Sequence, residues 1–268
     1  MISLQRVSAL VLRQFYLYRG SPVRSVPLFM WVFLDMVLWG FMSRYLNAVA
    51  GPRYNFVPAL LGAVLLWDFF TRVMQGVTMA FFEDVWSRNF LNIFATPLTV
   101  MEYLAGLVLS AIVTSALGLV VMILLATLAF GLSFLAYGVA LFPFLLVLFL
   151  FGIAMGIVGC SIVLRLGPAG EWFVWPIPAA VSPFACVYYP AATLPGWMRA
   201  ISRALPPPYV FENVRAIAAG RHADLSALAA AAGLAAVYLL GACWLFARIH
   251  RAAVRTGLIA RYSAESVA

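Results

Sequence analysis

The sequence predicts an all-α polytopic membrane protein with six transmembrane helices. Three observations carry that reading. Of 268 residues, 65% are hydrophobic and only 10% are charged, against about 25% charged in an ordinary soluble domain. No charged residue occurs between Glu102 and Arg165, a gap long enough for two spans of roughly 20 residues and a turn. The segments inside that gap are continuously apolar, whereas a barrel strand would alternate over about ten residues.

The elements follow in order. Residues 1–25 place Leu4, Val7, Leu10, Val11, Gln14 and Leu17 at helical spacing, with Arg6 and Arg13 toward another face. This is the pattern of a helix lying in the membrane interface; it also suits a plain anchor for the first span. It is not a cleavable signal, because Arg6, Arg13 and Arg19 interrupt the apolar residues. Span 1 covers roughly Pro27 to Leu46 and span 2 roughly Val57 to Phe81. Span 3 runs from about Leu104 to Phe130 and span 4 from about Val139 to Leu164, with Gly131 and Gly138 bracketing the turn. Span 5 covers about Trp172 to Tyr188 and span 6 about Leu225 to Ala247.

Arginine placement sets the expected orientation. The seventeen basic residues are all Arg. Arg6, Arg13, Arg19 and Arg24 precede span 1, while Arg248, Arg251, Arg255 and Arg261 follow span 6 in the tail 248–268. An even number of spans puts both tails on one side, and the positive-inside bias makes that side cytoplasmic. Arg199, Arg203, Arg215 and Arg221 then fall outside, in a segment long enough for the bias to weaken. Asn47 to Phe56 and Tyr189 to Asp224 face outward. The net charge of +8 sits at the ends of apolar segments, so it reads as topology and headgroup charge and not as a nucleic-acid surface.

Several groups lie inside the apolar spans. Asp35 is near the middle of span 1, where a carboxylate needs a partner or a wet cavity. Asp68 and Arg72 are four apart on span 2 and share a face. These groups belong either to a substrate path or to structural pairing between helices. Gly152, Gly156 and Gly159 give span 4 a small-residue face suited to close helix contact. Cys160, Cys186 and Cys243 have no metal-like spacing, and their odd number argues against a disulfide framework. No enzyme motif stands out. A Walker A loop needs a lysine on the phosphates, and the chain has none. ATP-driven work would require a second polypeptide.

Residues 83–103, EDVWSRNFLNIFATPLTVMEY, interrupt the apolar chain on the cytoplasmic side. On a helix over 84–95, Trp86, Phe90, Ile93 and Phe94 gather on one side, and Asp84, Arg88, Asn92 and Ala95 on the other. This is either a docking surface for a cytoplasmic partner or a loop whose aromatics touch headgroups. Thr96-Pro97 breaks the helix. Thr99 with Glu102 three residues on forms a capping-box pattern for span 3.

Two blocks carry a resemblance. The first is Glu83 to Tyr103, above all Phe94-Ala95-Thr96-Pro97-Leu98. The second runs from Tyr189-Pro190 through Leu194-Pro195-Gly196-Trp197 and Leu205-Pro206-Pro207-Pro208-Tyr209 to Glu212-Asn213-Val214-Arg215. With the length and the expected six spans, they make the chain resemble the permease subunits of the ABC-2 exporter family over nearly its whole length. The run Ser87-Arg88-Asn89-Phe90 is leaner in charge than the family's drug-efflux members. That leans the substrate toward a lipid-linked or amphipathic molecule.

The resemblance implies a single ABC-2 type transmembrane domain over 1–268 in the bacterial inner membrane, with both termini cytoplasmic. It implies a permease homodimer, or a pair of related permeases, with two cytoplasmic ATP-binding subunits that hold the ATP and Mg; the chain itself holds no cofactor and is no enzyme. Residues 83–94 become the coupling helix. Glu83, Asp84, Trp86 and Arg88 would meet the ATPase, with Phe90, Phe94, Thr96 and Pro97. Residues 189–224 become short outer helices that partly re-enter the membrane. An amphipathic substrate, whether lipid-linked glycan, lipo-oligosaccharide or hydrophobic drug, would pass along spans 1, 2 and 5. Candidates on its path are Trp31, Asp35, Trp39 and Trp67, then Asp68, Arg72, Trp172 and Trp175. Tryptophans also suit membrane interfaces and helix packing. Glu171, near the inner end of span 5, is either a gate at the entrance or a surface group. Membrane lipids are the surrounding partner. The rival expectations are a membrane enzyme acting on lipid or glycan, and a non-transporting structural subunit.

Overall fold

A computed structural model describes residues 3–20, 22–50, 60–87, 89–132 and 138–257. These residues are overwhelmingly helical, and there is no strand among them. The first five helices are α1 (Leu4–Arg19), α2 (Pro22–Ala50), α3 (Gly62–Trp86), α4 (Phe90–Ala95) and α5 (Val100–Phe130). There follow α6 (Leu141–Leu166), α7 (Glu171–Val174), α8 (Ile177–Ala185), α9 (Gly196–Arg203), α10 (Pro207–Ala218) and α11 (Leu225–Arg255). Among the described residues, three helices are long and apolar enough to cross a membrane: Val100–Phe130, Gly138–Leu166 and Leu225–Arg255.

The bundle is layered around α3. Helix α11 lies along α6, α6 along α3, and α3 along α5, with α1 across α5. Small residues permit the tightest of these contacts. A Cβ on Gly152 would sit 2.9 Å from Val73 Cβ and 3.0 Å from the Phe70 carbonyl; one on Gly156 would sit 2.8 Å from Val77 Cβ and 2.9 Å from the Met74 carbonyl. The glycine face of α6 is therefore the seat of α3. At the far end, Gly131 (φ 66) caps α5 in the left-handed region and Gly138 (φ 53) precedes α6. There α2 leans on α5: a Cβ on Gly40 would run into the Phe130 ring, and the Arg44 guanidinium donates to the Ala129 carbonyl at 2.7 Å.

Helix starts follow their capping residues. Thr99 and Glu102 form the full capping box of α5. Asp224 caps α11, accepting from the Ser226 and Ala227 amides at 3.0 Å. The Ser226 hydroxyl, followed by those amides, holds the Asp224 carboxyl below the ordinary aspartate value.

The structure differs from the sequence reading in three places. The helix expected over 84–95 does not form: α3 continues through Trp86, the chain turns near Ser87, and α4 begins at Phe90. The span expected as one helix from Trp172 to Tyr188 is two pieces, α7 and α8, around Trp175-Pro176. Pro176, Pro178 and Pro183 explain this, since none can donate a helical hydrogen bond. From Glu171 to Ala185 the run rises only about 22 Å, and it ends at Cys186 with φ 58. Third, Arg6 and Arg13, expected to point away from the apolar face of α1, turn onto the protein. The segment 189–224 does contain short helices, α9 and α10. Residues 51–56 of the first outer segment, and 258–268 of the tail with Arg261, lie outside the described residues.

Gly156→Leu should lower the melting temperature markedly or abolish folding in detergent, because overpacking a tight core contact costs about 1–3 kcal/mol. Gly241→Leu, where an added Cβ meets nothing within 4 Å, should melt within a few degrees of the wild type. Fluorescence-detected size exclusion after heating reads both.

Candidate functional site

Two buried carboxylates tie α1 to the junction between α3 and α5. Asp84, in the last turn of α3, is 1% exposed at its side chain; it accepts from the Arg13 guanidinium and, at 2.7 Å, from the Tyr103 hydroxyl. Glu102, in the first turn of α5, accepts from the Ser3 amide at 2.8 Å, the Thr99 amide at 2.8 Å and Arg6 Nη1 at 3.3 Å. Arg6 also donates to the Pro97 carbonyl. One helix thus neutralises the acids at the end of α3 and the start of α5. Asp84, expected on a docking face, is instead a buried structural anchor, because the α3 helix carries it inward past the expected end of the span.

A cavity of about 930 Å³ opens beside this clamp. Its floor comes from one face of α3. Sixteen of the 25 residues of that helix are buried. Apart from Gly76 and the last-turn Val85 and Trp86, those that are not form a stripe at helical spacing: Asp68, Arg72, Gln75, Met79 and Glu83, with Thr71 beside it. The stripe and Thr71 line the cavity. Arg72 Nε donates to Asp68 Oδ2 at 2.7 Å, so the expected pair forms. Helix α2 supplies Trp31 and the half-buried Asp35 opposite. No hydrogen bond or ion pair joins Asp35 to another described residue, although the charges of Asp68 and Arg72 act on it. Helix α5 supplies Thr114 and Ser115. Ser115 is 2% exposed, and its hydroxyl has no hydrogen-bond partner among the described residues.

The cavity ends at the clamp. Gln14, Leu17 and Tyr18 of α1 close one wall, and Trp86, Ser87 and Trp175 lie at the mouth. Trp86 Nε1 donates to Glu171 Oε2 at 2.9 Å, bridging the end of α3 to α7. On the other side of α1 is a groove of about 290 Å³, lined by Arg6, Leu10 and Arg13 with Ile93, Thr96 and Pro97. Helix α1 thus separates this groove from the larger, half-open cavity.

The structure sorts the predicted residues. Trp31, Asp35, Asp68, Arg72 and Trp175 come together at the cavity. Trp39 stacks on Tyr188 at 5.2 Å instead, and Trp67, 8% exposed, packs between Phe70 and Phe211. Trp172 is 74% exposed and does not line the cavity. Glu83 and Trp86 line the cavity mouth, while Thr96 and Pro97 line the groove. Arg88 and the side chains of Phe90 and Phe94 lie outside the described residues. Gln14, Gln75 and Ser115 escaped the sequence reading. The signal was present: Ser110, Thr114 and Ser115 cluster in a span without charges. In the described residues, no group of three or more His, Cys, Asp or Glu could hold a metal ion.

Arg13→Ala should be the most destabilising change at the clamp, costing about 3–5 kcal/mol, since it leaves a buried carboxylate uncompensated. Tyr103→Phe should cost about 1 kcal/mol. The double variant Arg13→Met/Asp84→Leu should melt above Arg13→Ala. Thermal unfolding in detergent orders the three.

No protein-family model matches the chain, and no curated protein matches it. The function of the site therefore rests on its own geometry.

Proposed function

We propose that the chain is the membrane-embedded permease subunit of an ATP-driven exporter of the ABC-2 type that its sequence resembles. The carrying observation is the polar stripe of α3, from Asp68 to Glu83, lining one large cavity inside an otherwise apolar bundle. Polar groups at that depth cost free energy and are characteristic of substrate paths. Helices α2 and α3, of 29 and 25 residues, rise about 43 and 38 Å, enough for a hydrocarbon core of about 30 Å. The broken α7–α8 segment, at about 22 Å, is short for that core and brings the passes to six where the bilayer thins around it. Both termini then lie in the cytoplasm of a bacterial cell.

In this mechanism two copies of the chain pair and two ATP-binding subunits dock beneath them, holding the ATP and Mg. The docking surface is the groove between α1 and α4 together with the exposed Trp86. Closure of the ATPases presses on α4; Asp84 and Glu102 pass the displacement to α3 and α5, which line the cavity. The amphipathic substrate leaves past residues 189–224. The chain makes and breaks no covalent bond. Binding must differ between the two states of the cavity for the cycle to turn.

The test is purification of the tagged chain from native membranes in mild detergent. A Mg-dependent ATPase should co-purify. Trp86→Ala should leave that complex intact and reduce substrate-stimulated hydrolysis to the basal rate. Recovery of the chain with no ATPase at any detergent concentration would refute the reading.

A further inference from the structure

One carboxylate of the cavity has no ion pair among the described residues. Asp68 and Arg72 compensate each other at 2.7 Å. Asp35 faces the same space without a hydrogen bond to any described residue, and Glu83 adds a further carboxylate near the mouth. Among the described residues, Asp35 is thus a carboxylate of this cavity without an ion pair. Around them are large aromatic surfaces: Trp31 is 65% exposed and Trp175 45% exposed, and Trp86 lies beside them at the mouth. Low-dielectric walls strengthen the field of an uncompensated charge. Aromatic faces attract cations over their rings. The same field opposes phosphate, carboxylate or uronate groups. A volume of about 930 Å³ matches a drug-sized ligand, for which pockets run to about 300–1,000 Å³. The buried Ser115 hydroxyl, unpartnered among the described residues, supplies one hydrogen bond from the α5 wall.

We propose that this cavity binds an amphipathic organic cation, with Asp35 as its counter-charge and Trp31 and Trp175 as its aromatic faces. The proposal rests on the transport reading for the site's purpose, and it narrows the substrate from amphiphiles in general to cationic ones. An anionic lipid-linked glycan would meet the wrong sign of field.

The test uses two ions of one shape and opposite charge, tetraphenylphosphonium and tetraphenylborate, on the full chain in a neutral detergent. Equilibrium dialysis and tryptophan quenching read binding. Tetraphenylphosphonium should bind saturably, and tetraphenylborate, measured in a separate experiment, should not. Asp35→Asn should weaken binding by about tenfold, while Asp35→Glu should keep it. Equal binding of the two ions overturns the proposal, and so does unchanged binding by a folded Asp35→Asn protein. If that variant does not fold, the wild-type contrast between the ions decides. The transport reading fails separately: saturable cation binding with no co-purifying ATPase would keep the site and remove the exporter. A co-purifying ATPase with no discrimination between the ions would do the reverse.

Discussion

A carboxylate cannot sit bare inside an apolar helix bundle, and the architecture follows from how this chain answers that constraint. Asp84 and Glu102 are neutralised by arginines from a different helix, α1. Asp68 is neutralised by Arg72 one turn along its own helix. Each solution fixes something. The first two pin α1 across the α3–α5 junction, and the third keeps a charged pair on a stripe of α3 that no neighbour covers. Asp35 has no such answer among the described residues, and it faces the cavity.

Packing explains why the cavity lies where it does. The glycines of α6 draw α3 close on one side, so α3 is buried on that side against Val73, Val77 and their neighbours. At the far end, Gly40 and Arg44 hold α2 against the end of α5. Between those contacts α2 and α3 do not close, and α1 crosses below. The cavity is the space left by two tight contacts and one clamp. Its mouth is bridged by the Trp86–Glu171 hydrogen bond. The polar joints of this frame are the Arg6–Glu102 and Arg13–Asp84 ion pairs and the Trp86–Glu171 hydrogen bond.

Much of this was legible in the sequence where the signal was local. The capping box at Thr99 and Glu102, the glycines at the α5–α6 turn, and the Asp68–Arg72 pair depend on residues a few positions apart. The small-residue face of α6 was legible as a face, but its partner was not, since nothing near Gly156 in sequence points to Val77. The fate of Asp84 was misread for the same reason. Its partners are Arg13 and Tyr103, and only the fold brings them together, so a local amphipathic pattern assigned it to the surface. Tryptophans gave the poorest guide. Trp31 and Trp175 reach the cavity while Trp39 and Trp67 fill packing sites, and an aromatic on a membrane helix has no local mark that separates the two. The basic residues of 189–224 posed a puzzle for orientation. The structure accounts for two of them: Arg199 donates to the carbonyls of Ala192 and Leu194, and Arg215 to that of Cys186. Such arginines serve the local fold before they serve topology.

The central claim is that Asp35 faces water inside the bundle while its neighbour Met36, 2% exposed, is packed in the core. Cysteine labelling tests this most directly. In a background with the three native cysteines replaced, Asp35→Cys and Met36→Cys are exposed to a membrane-impermeant thiosulfonate in inside-out and right-side-out vesicles. Asp35→Cys should react in one of the two vesicle orientations, and Met36→Cys should react in neither. An unreactive Asp35→Cys, or equal reactivity at the two positions, would contradict the account.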